Sequence, residues 1–215
     1  MPPKVRFTKD MVIDAALEVV REHGHEAITV REVASKLGAS SQPIFSYFTN
    51  MEELTAAVLE AATAEFDEYA KRGLAEQQGF LGYTREYVRF AVDEPRLFAM
   101  LFMQKHPERN ITDFLRYDPH YDNVIGALKA ETGFDDATAE RFCYSHCMFV
   151  HGLASMIWSG VIPYTLTEID SLLKETFNGM VMMFRTPYDD RVSLVPSADA
   201  PKIHSTPKDY AELPK

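Results

Sequence analysis

Apolar residues recur at helical spacing along almost the whole chain, which predicts an all-α protein. The first run begins after Thr8, a residue suited to cap a helix, and stops at Gly24. Its apolar residues fall on one helical face: Ile13, Ala16, Leu17 and Val20. The sequence contains no alternating run of strand length and no internal repeat.

Three short helices fit within the first 50 residues. Thr29 and Glu32 form a Thr-x-x-Glu capping box that begins the second helix, and Gly38 ends it as a left-handed turn residue. Ser40 is the predicted cap of the third helix, which tolerates Pro43 in its first turn. The apolar side of that helix is predicted to consist of Ile44, Phe45 and Phe48. Two short helices joined by so tight a turn indicate a helix-turn-helix.

The pattern after residue 50 predicts a larger helical domain. Asn50, followed by two acidic residues, opens a long helix expected to run to about Gln78. Further helices are predicted over Tyr83–Asp93, Leu97–Met103, Phe114–Tyr117, His120–Thr132, 135 or 136 to about Val161, and from a Thr167-x-x-Asp170 capping box through Phe184. Residues 187–215 hold five prolines, which predicts a mobile tail; the alternative is an extended segment docked on the globule. The predicted organisation is a helix-turn-helix domain over 1–50, a helical domain over 51–186 and a tail over 187–215.

Composition places the chain among ordinary globular proteins. Its 215 residues are 46% hydrophobic, and this length can bury a sizeable core. No apolar stretch reaches the roughly 20 residues that span a bilayer, and the N-terminus has no apolar signal region. Two cysteines four residues apart are typical of thiols in a reducing compartment. We therefore expect a cytoplasmic protein with no membrane partner.

The formal net charge of −10, taken alone, argues against a nucleic-acid partner. However, residues 1–50 carry six basic and six acidic residues, whereas residues 51–215 carry 16 basic and 26 acidic ones. The whole deficit therefore lies outside the first 50 residues. If any part of the chain meets a polyanion, we expect it to be the N-terminal segment.

The predicted helix-turn-helix carries side chains suited to DNA. Ser40 and Ser41 offer hydroxyls and backbone N–H groups at a helix N-terminus, where phosphate oxygens bind favourably. Gln42, Ser46 and Tyr47 are predicted to project from the second helix, and a glutamine can make a bidentate contact to adenine. The alternative, from spacing alone, is a three-helix unit that only packs.

Residues 11–54, which run from Met-Val-Ile-Asp-Ala-Ala-Leu to Phe-Thr-Asn-Met-Glu-Glu-Leu, closely resemble the DNA-binding domain of TetR/AcrR-family transcriptional regulators. Two later stretches, Glu94–Phe102 and Phe149–Ala154, resemble sequence segments that are common in the C-terminal domains of one group of that family. The resemblance implies an all-helical homodimer that binds double-stranded operator DNA and, through its C-terminal domain, a small-molecule effector. The residues expected to contact DNA are Lys4, Arg6, Thr29, Arg31, Lys36, Ser40, Ser41, Gln42, Pro43, Ser46 and Tyr47.

Two departures from the family pattern change the expected strength of DNA binding. The family usually has tyrosine where this chain has Phe45, and a phosphate-contacting lysine where it has Met51. Between Lys36 and Lys71 there is no lysine or arginine at all. Since each lost phosphate contact removes roughly one unit from the salt slope, we expect weak non-specific binding and specific binding that needs the dimer.

A second cluster of interest is Cys143, Cys147 and His151, which recur every four residues. Cysteine and histidine at this spacing can share a metal ion, but the outer two are about 12 Å apart along a helix, at 1.5 Å per residue. A redox switch between the thiols is disfavoured because Arg141 is the one basic neighbour that could stabilise a thiolate. Buried core thiols are the preferred interpretation, and we predict no metal and no cofactor.

Flexible methionines and aromatic residues in the C-terminal domain suit a cavity for an apolar or amphipathic effector. The residues predicted to bind it are Phe98, Phe102, Met103, Tyr144, Met148, His151 and Trp158. Packing alone is the alternative explanation for most of them, and the excess of acidic residues can instead favour cationic compounds.

The most apolar long helices, Ala137–Val161 and Leu166–Arg185, are expected to form a four-helix homodimer interface or, alternatively, the monomer core. An enzyme is not expected, because the sequence lacks paired Glu-x-x-His, Gly-x-Ser-x-Gly, His-Glu-x-x-His and phosphate-loop motifs. The favoured function is a ligand-responsive repressor. Its rival is a helix-turn-helix relic that binds a ligand or protein without binding an operator.

Overall fold

The computed structural model describes residues 7–104 and 118–186, and within these ranges every regular element is helical. The elements are α1 (Lys9–His23), a 3-10 turn (His25–Ala27), α2 (Val30–Leu37), α3 (Gln42–Phe45), α4 (Met51–Leu74), α5 (Gly79–Asp93), α6 (Pro95–Phe102), α7 (Tyr121–Thr132), α8 (Asp136–Trp158) and α9 (Leu166–Arg185). The all-α prediction is confirmed. The predicted arm contacts Lys4 and Arg6, the helix Phe114–Tyr117 and the tail 187–215 lie outside the described residues.

Side chains cap the first two helices as the sequence predicts. The Thr8 hydroxyl accepts a hydrogen bond from the Met11 amide at 3.2 Å, and the Thr29 hydroxyl accepts one from the Glu32 amide at 3.3 Å. Gly38 ends α2 with a φ of 61°, the left-handed conformation that glycine adopts without strain. These local bonds fix where α1 and α2 begin and where the helix-turn-helix bends.

The third helix is shorter than the sequence pattern suggests. Its regular part is a single turn, Gln42–Phe45, and the residue at its cap position is Ser41 rather than the predicted Ser40. The Ser40 hydroxyl still accepts a hydrogen bond from the Gln42 amide, at 3.4 Å. Pro43 stands in the first turn, as predicted, where its missing N–H leaves no helical bond unmade.

The N-terminal helices bury one end of a hydrophobic core that continues into the larger helical domain. This end is built from side chains that are almost fully removed from solvent: Val12, Ala16, Val20, Val33, Ile44 and Phe48. Burial of each valine, isoleucine or phenylalanine in this set contributes roughly 1.5–3 kcal/mol before conformational entropy is subtracted. This end of the core holds α2 and α3 at a fixed angle on α1.

Helices α4 and α5 approach so closely that their backbones touch. A Cβ atom added to Gly73 lies 2.5 Å from the carbonyl oxygen of Gly82, and one added to Gly82 overlaps the carbonyl of Gly73. The sequence-based boundaries here are wrong: α4 ends at Leu74 rather than near Gln78, and α5 begins at Gly79 rather than at Tyr83. Gly82 does not break a helix; it lets one helix pass another.

Helix α5 lies at the centre of the larger domain, with α4, α6, α7, α8 and α9 around it. Aromatic rings dominate the packing at its start, where Phe80 contacts Phe142 of α8 and Phe177 of α9 at centroid distances of 5.8 and 5.7 Å. None of the described helices is long and apolar enough to cross a membrane.

The last helix opens at a different capping box from the predicted one. Thr165 and Glu168 bond reciprocally to each other's backbone amides at 3.3 and 2.8 Å, so Thr165 rather than Thr167 is the cap. Asp170, the acid of the predicted box, instead accepts hydrogen bonds from Arg85 and Lys174, each at 2.6 Å. The preceding helix ends at Trp158, three residues before the predicted Val161.

Adding a methyl group at the Gly73–Gly82 contact tests how much the close approach of α4 and α5 contributes to stability. Gly73→Ala puts a methyl group against the backbone of Gly82, so α4 and α5 must move apart, and we expect a loss of about 1–3 kcal/mol in unfolding free energy. Gly126→Ala is the matched control, because nothing lies within 4 Å of its added Cβ in α7. We expect it to gain up to about 1 kcal/mol from helix propensity. Equal thermal midpoints for the two variants would contradict a close α4–α5 contact.

His146 is a buried polar residue inside the aromatic packing of α5, α8 and α9. It is 0% exposed, neither ring nitrogen has a hydrogen-bond partner among the described residues, and its ring stacks on Phe142 at a centroid distance of 5.7 Å. Burial lowers the pKa of His146 to about 4. The imidazole is therefore neutral in the folded protein at neutral pH.

The buried imidazole makes stability depend on pH. Below pH 6.5 the unfolded chain binds a proton at His146, whereas the folded chain binds it only near pH 4. The free energy of unfolding therefore decreases as the pH falls from 6.5 to about 4. The slope is about 1.4 kcal/mol per pH unit. Urea unfolding at pH 7.5, 6 and 5 should show a steeper loss for the wild type than for His146→Phe. His23→Phe, a change at an exposed histidine, should keep the wild-type slope, and a parallel loss in all three proteins would refute the assignment.

Candidate nucleic-acid interface and effector cavity

The helix-turn-helix presents an exposed polar edge with one aromatic ring in it. Gln42, Ser46 and Tyr47 are exposed, as predicted, whereas Ile44 between them is fully buried. Phe45 is 52% exposed, so its prediction as part of the apolar side of the helix is wrong. In a helix of one turn Ile44 points into the core, so Phe45, the next residue, faces outward.

Two hydroxyls of this edge are already engaged. Ser46 donates to the backbone oxygen of Gln42 at 2.8 Å, and Tyr47 donates to the backbone oxygen of Phe7 at 2.7 Å. The second bond holds the start of the described chain beside the third helix. Both hydroxyl oxygens keep lone pairs that can accept a further hydrogen bond.

The basic residues near this edge differ in how they are held. Arg31 has a side chain that is 91% exposed, while the Lys36 ammonium lies 2.6 Å from a carboxylate oxygen of Glu22. Lys9 lies over the ring of Phe48, 5.3 Å from its centroid. The other predicted contacts, Thr29, Ser40 and Ser41, are exposed, and Pro43 is half-buried.

A cavity of about 480 Å³ opens between α4, α5, α6 and α8. This volume lies within the range of about 300–1,000 Å³ found for small-molecule sites. Of the residues predicted to bind an effector, Phe102 and His151 line it. Residues that the sequence analysis missed also line it, on α4 (Thr55, Leu59, Thr63, Phe66 and Asp67), on α5 (Tyr83 and Tyr87) and after residue 117 (Asp118).

The other predicted effector contacts lie elsewhere. Phe98 is fully buried behind the wall, with its ring 5.4 Å from that of Phe102, and Tyr144 is buried away from the cavity. Met103, Met148 and Trp158 are 36%, 41% and 39% exposed and do not line it. Trp158 shares a helical face with His151, as its spacing predicts, but it lies two turns further along α8, beyond the cavity.

The signal that could have identified the α4 wall is its periodicity. Thr55, Leu59 and Thr63 follow one another at four-residue spacing, so they form one helical face that mixes hydroxyls with an apolar side chain. A face of this kind is too polar for a core and too apolar for a solvated surface. Such a face suits a cavity wall.

Polar groups of the cavity form short chains of hydrogen bonds. The Tyr87 hydroxyl and His151 Nδ1 lie 2.8 Å apart, and the Tyr83 hydroxyl donates to the Asp118 carboxylate. Burial lowers the pKa of His151, and burial together with the Asp118 charge raises the pKa of Tyr83. Both tyrosines and the histidine are therefore neutral at pH 7.

The two thiols lie close together on α8. Their sulfur atoms are 3.7 Å apart; Cys143 is buried, and Cys147 is half-buried and lines the cavity. The hydrogen bond to Cys143 and burial raise the pKa of Cys147, which keeps it a thiol at neutral pH. In the described parts of the chain no three His, Cys, Asp or Glu side chains are grouped as a metal ion requires.

One guanidinium connects the N-terminal helices to the larger domain. Arg21 of α1 contacts Glu94 through Nε at 3.0 Å, Glu18 through Nη1 at 3.1 Å, and Glu65 of α4 through Nη2. Burial alone lowers the pKa of Arg21, but hydrogen bonds to Glu94 and Glu65 raise it above its usual value, so the charge is held. The ion pairs fix α1 against both α4 and the α5–α6 junction.

Comparison with known proteins gives a consistent result. Residues 12–58 match the family model described as "Bacterial regulatory proteins, tetR family". The chain is 26% identical over 144 residues to the HTH-type transcriptional repressor ComR of Escherichia coli strain K12, a match that covers 65% of each protein. Across the curated relatives that it matches, the chain spans between 56 and 65% of their length.

Solved structures share the fold at low sequence identity. A tetR-family transcriptional regulator from Streptomyces coelicolor superposes with a TM-score of 0.64 at 18% identity, over 81% of this chain and 80% of its own. A TetR variant from Acinetobacter baumannii AYE in complex with minocycline has a TM-score of 0.54 at 19% identity, over 83% and 97%. The fold is TetR-like.

Replacing the guanidinium that joins the two domains tests how strongly it holds them. Arg21→Met leaves Glu65 and Glu94 without their shared cation, and we expect a loss of about 1–3 kcal/mol in urea unfolding. Arg31→Met is the matched control, since the Arg31 side chain is 91% exposed, and it should change stability by less than about 0.5 kcal/mol. An Arg21 variant as stable as the Arg31 variant would show that the ion pairs do not hold α1 in place.

Proposed function

Because the chain belongs to the TetR/AcrR family of transcriptional regulators, we propose that it is a homodimeric repressor that leaves its operator when a small molecule fills the cavity. Its relative ComR carries the name repressor, and the TetR structure from Acinetobacter baumannii contains minocycline. These names support the proposal by analogy. A second kind of support comes from where this chain places its cavity and its helix-turn-helix.

The observation that carries the proposal is that one helix belongs to both sites. Helix α4 starts at Met51, directly after the helix-turn-helix, and its residues Thr55 and Leu59 line the cavity. A molecule in the cavity therefore contacts the helix that leads to the DNA-binding residues. Since a ligand shifts an equilibrium only by its difference in affinity for two states, we expect it to favour one position of α4 over another.

An exposed apolar surface supports the homodimer. Large apolar side chains stay exposed at the end of α8, in the following turn and on α9: Met156, Trp158, Val161, Tyr164, Met182 and Met183. Contiguous apolar patches on a monomer mark interaction surfaces. A second copy packed here forms the four-helix interface expected from the sequence, and it presents two helix-turn-helix units to half-sites about 34–36 Å apart.

Base recognition is assigned to the exposed edge of the third helix. Gln42 can pair with adenine through two hydrogen bonds, and the exposed ring of Phe45 suits the methyl group of thymine. Ser40, Ser41 and Arg31 are placed to contact phosphate, which positions the helix without reading sequence. The proposed operator contact is thus narrow and depends on few cations.

The assignment of Gln42 predicts a specific loss. Gln42→Ala should weaken binding to a duplex selected by the wild type from a random library at least about fivefold, because one bidentate base contact is worth about 1–3 kcal/mol. Fluorescence anisotropy of the labelled duplex measures this, with Gln77→Ala, the same change at an exposed position in the α4–α5 turn, as control. Both variants should unfold at the wild-type temperature.

Two outcomes count against the proposal. Equal affinities of the Gln42 and Gln77 variants for the selected duplex would remove Gln42 from the interface. A folded wild type that selects no sequence, even at low salt, would favour the relic that binds a ligand or a protein without an operator.

A further inference from the structure

We propose that the cavity takes a monocation with an apolar body, such as an aromatic or alkyl ammonium compound; this rests on the proposed function, in which the cavity holds the effector. The sequence-based expectation of an apolar or amphipathic molecule describes only the walls. The charged groups of the cavity restrict the class further.

Two carboxylates, Asp67 and Asp118, line the cavity, and both contact His120. Asp118 accepts a hydrogen bond from the backbone amide of His120 at 2.8 Å, and Asp67 lies 3.1 Å from Nε2 of the same histidine. His120 thus contacts both acids, Asp118 through its backbone amide and Asp67 through its ring, although Asp67 lies on α4 and Asp118 lies just before α7. Among the described lining residues there is no lysine or arginine.

Aromatic rings line the same cavity as these acids. Phe66, adjacent to Asp67 in sequence, packs against Tyr83, Tyr87 and Phe102 at centroid distances of 6.4, 5.8 and 5.0 Å. The Tyr83 hydroxyl donates to Asp118, which ties one ring directly to a carboxylate. A cation bound in this cavity therefore has aromatic rings among its walls as well as carboxylates, and ring faces attract positive charge that lies within about 6 Å of a centroid.

The tyrosines and His151 of the cavity add no charge that would offset the carboxylates. Burial keeps His151 neutral by lowering its pKa, and the raised pKa values of Tyr83 and Tyr87 keep their hydroxyls protonated. Apart from His25, which also lines the cavity, the carboxylates thus set the sign of the charge in the described lining. An anionic ligand meets repulsion here, and a neutral one leaves the carboxylates with no cation to replace the water they lose.

Three probes of one shape separate charge from apolar burial: (4-phenylbutyl)trimethylammonium, 4-phenylbutan-1-ol and 4-phenylbutyrate. Titration calorimetry on the full chain should give the cation an affinity at least tenfold above that of the alcohol, and no measurable binding of the carboxylate. Equal or tighter binding of the alcohol or the carboxylate, or no heat with the cation, overturns the proposal.

A carboxylate substitution locates the effect. Asp118→Asn keeps one oxygen for the His120 amide and presents an NH2 group that can donate to the Tyr83 hydroxyl, but it removes the charge. Cation affinity should therefore fall at least tenfold while alcohol affinity stays within twofold. Asp136→Asn, at an 88% exposed side chain, is the control and should bind as the wild type does. If the Asp118 variant does not fold, Asp67→Asn replaces it, and unchanged cation affinity in a folded variant overturns the site.

Operator binding is scored separately, with the selected duplex. Operator release by the cation supports both proposals. Operator binding without cation preference overturns the charge proposal and leaves the repressor intact. Cation preference in a protein that binds no operator supports the site and overturns the repressor.

Discussion

The contact between Gly73 and Gly82 is the constraint on which the geometry of the molecule depends. Two backbones in van der Waals contact leave no side chain that can rotate to absorb a displacement, so α4 is fixed near its C-terminal end. From Gly73 to Met51 the helix extends about 33 Å, at 1.5 Å per residue. Any tilt of α4 is therefore smallest at the glycines and largest where the helix-turn-helix begins.

Charge holds α4 at a second point, Glu65, which lies eight residues before Gly73 in the same half of the helix. Arg21 bonds to Glu65 on α4 and to Glu94 at the start of α6, so α1 rests on two helices at once. Ion pairs of partly exposed side chains are worth little individually and can exchange partners, unlike a packed glycine pair. The cavity wall formed by Thr55, Leu59 and Thr63 lies on the N-terminal side of both contacts, between them and the helix-turn-helix. A ligand there can act on the end of α4 that neither contact holds.

Local features were predictable from sequence because their partners are close along the chain. Thr8, Thr29 and Gly38 act within three or four residues, and each has the predicted role. At the last helix two overlapping boxes compete, and Thr165 with Glu168 forms because a glutamate reaches back to the cap while Asp170 pairs with Arg85.

What the sequence could not predict depends on partners far away along the chain. Gly82 looks like a helix break until Gly73 is placed against it, and Phe45 looks like a core residue until Ile44 fills the core. The cavity is missed for the same reason, since its acids lie 51 positions apart in sequence and meet only through His120. Helical periodicity orders residues on one element and carries no information about which element faces it.

The placement of charge explains how an acidic chain can contain a DNA-binding domain. Residues 7–50 hold four basic and six acidic side chains, a balance of −2, and Lys4 with Arg6 brings residues 1–50 to zero. Arg21 is engaged with Glu65 and Glu94, Lys36 with Glu22 and Arg31 with Glu32, so three of the four cations in 7–50 already have carboxylate partners. Lys4 and Arg6 of the N-terminal arm therefore determine whether the DNA-binding domain approaches phosphate with a net charge of zero or with a negative net charge. A domain balanced in this way gains little from phosphate alone, and its affinity has to come from base contacts made twice, once by each subunit.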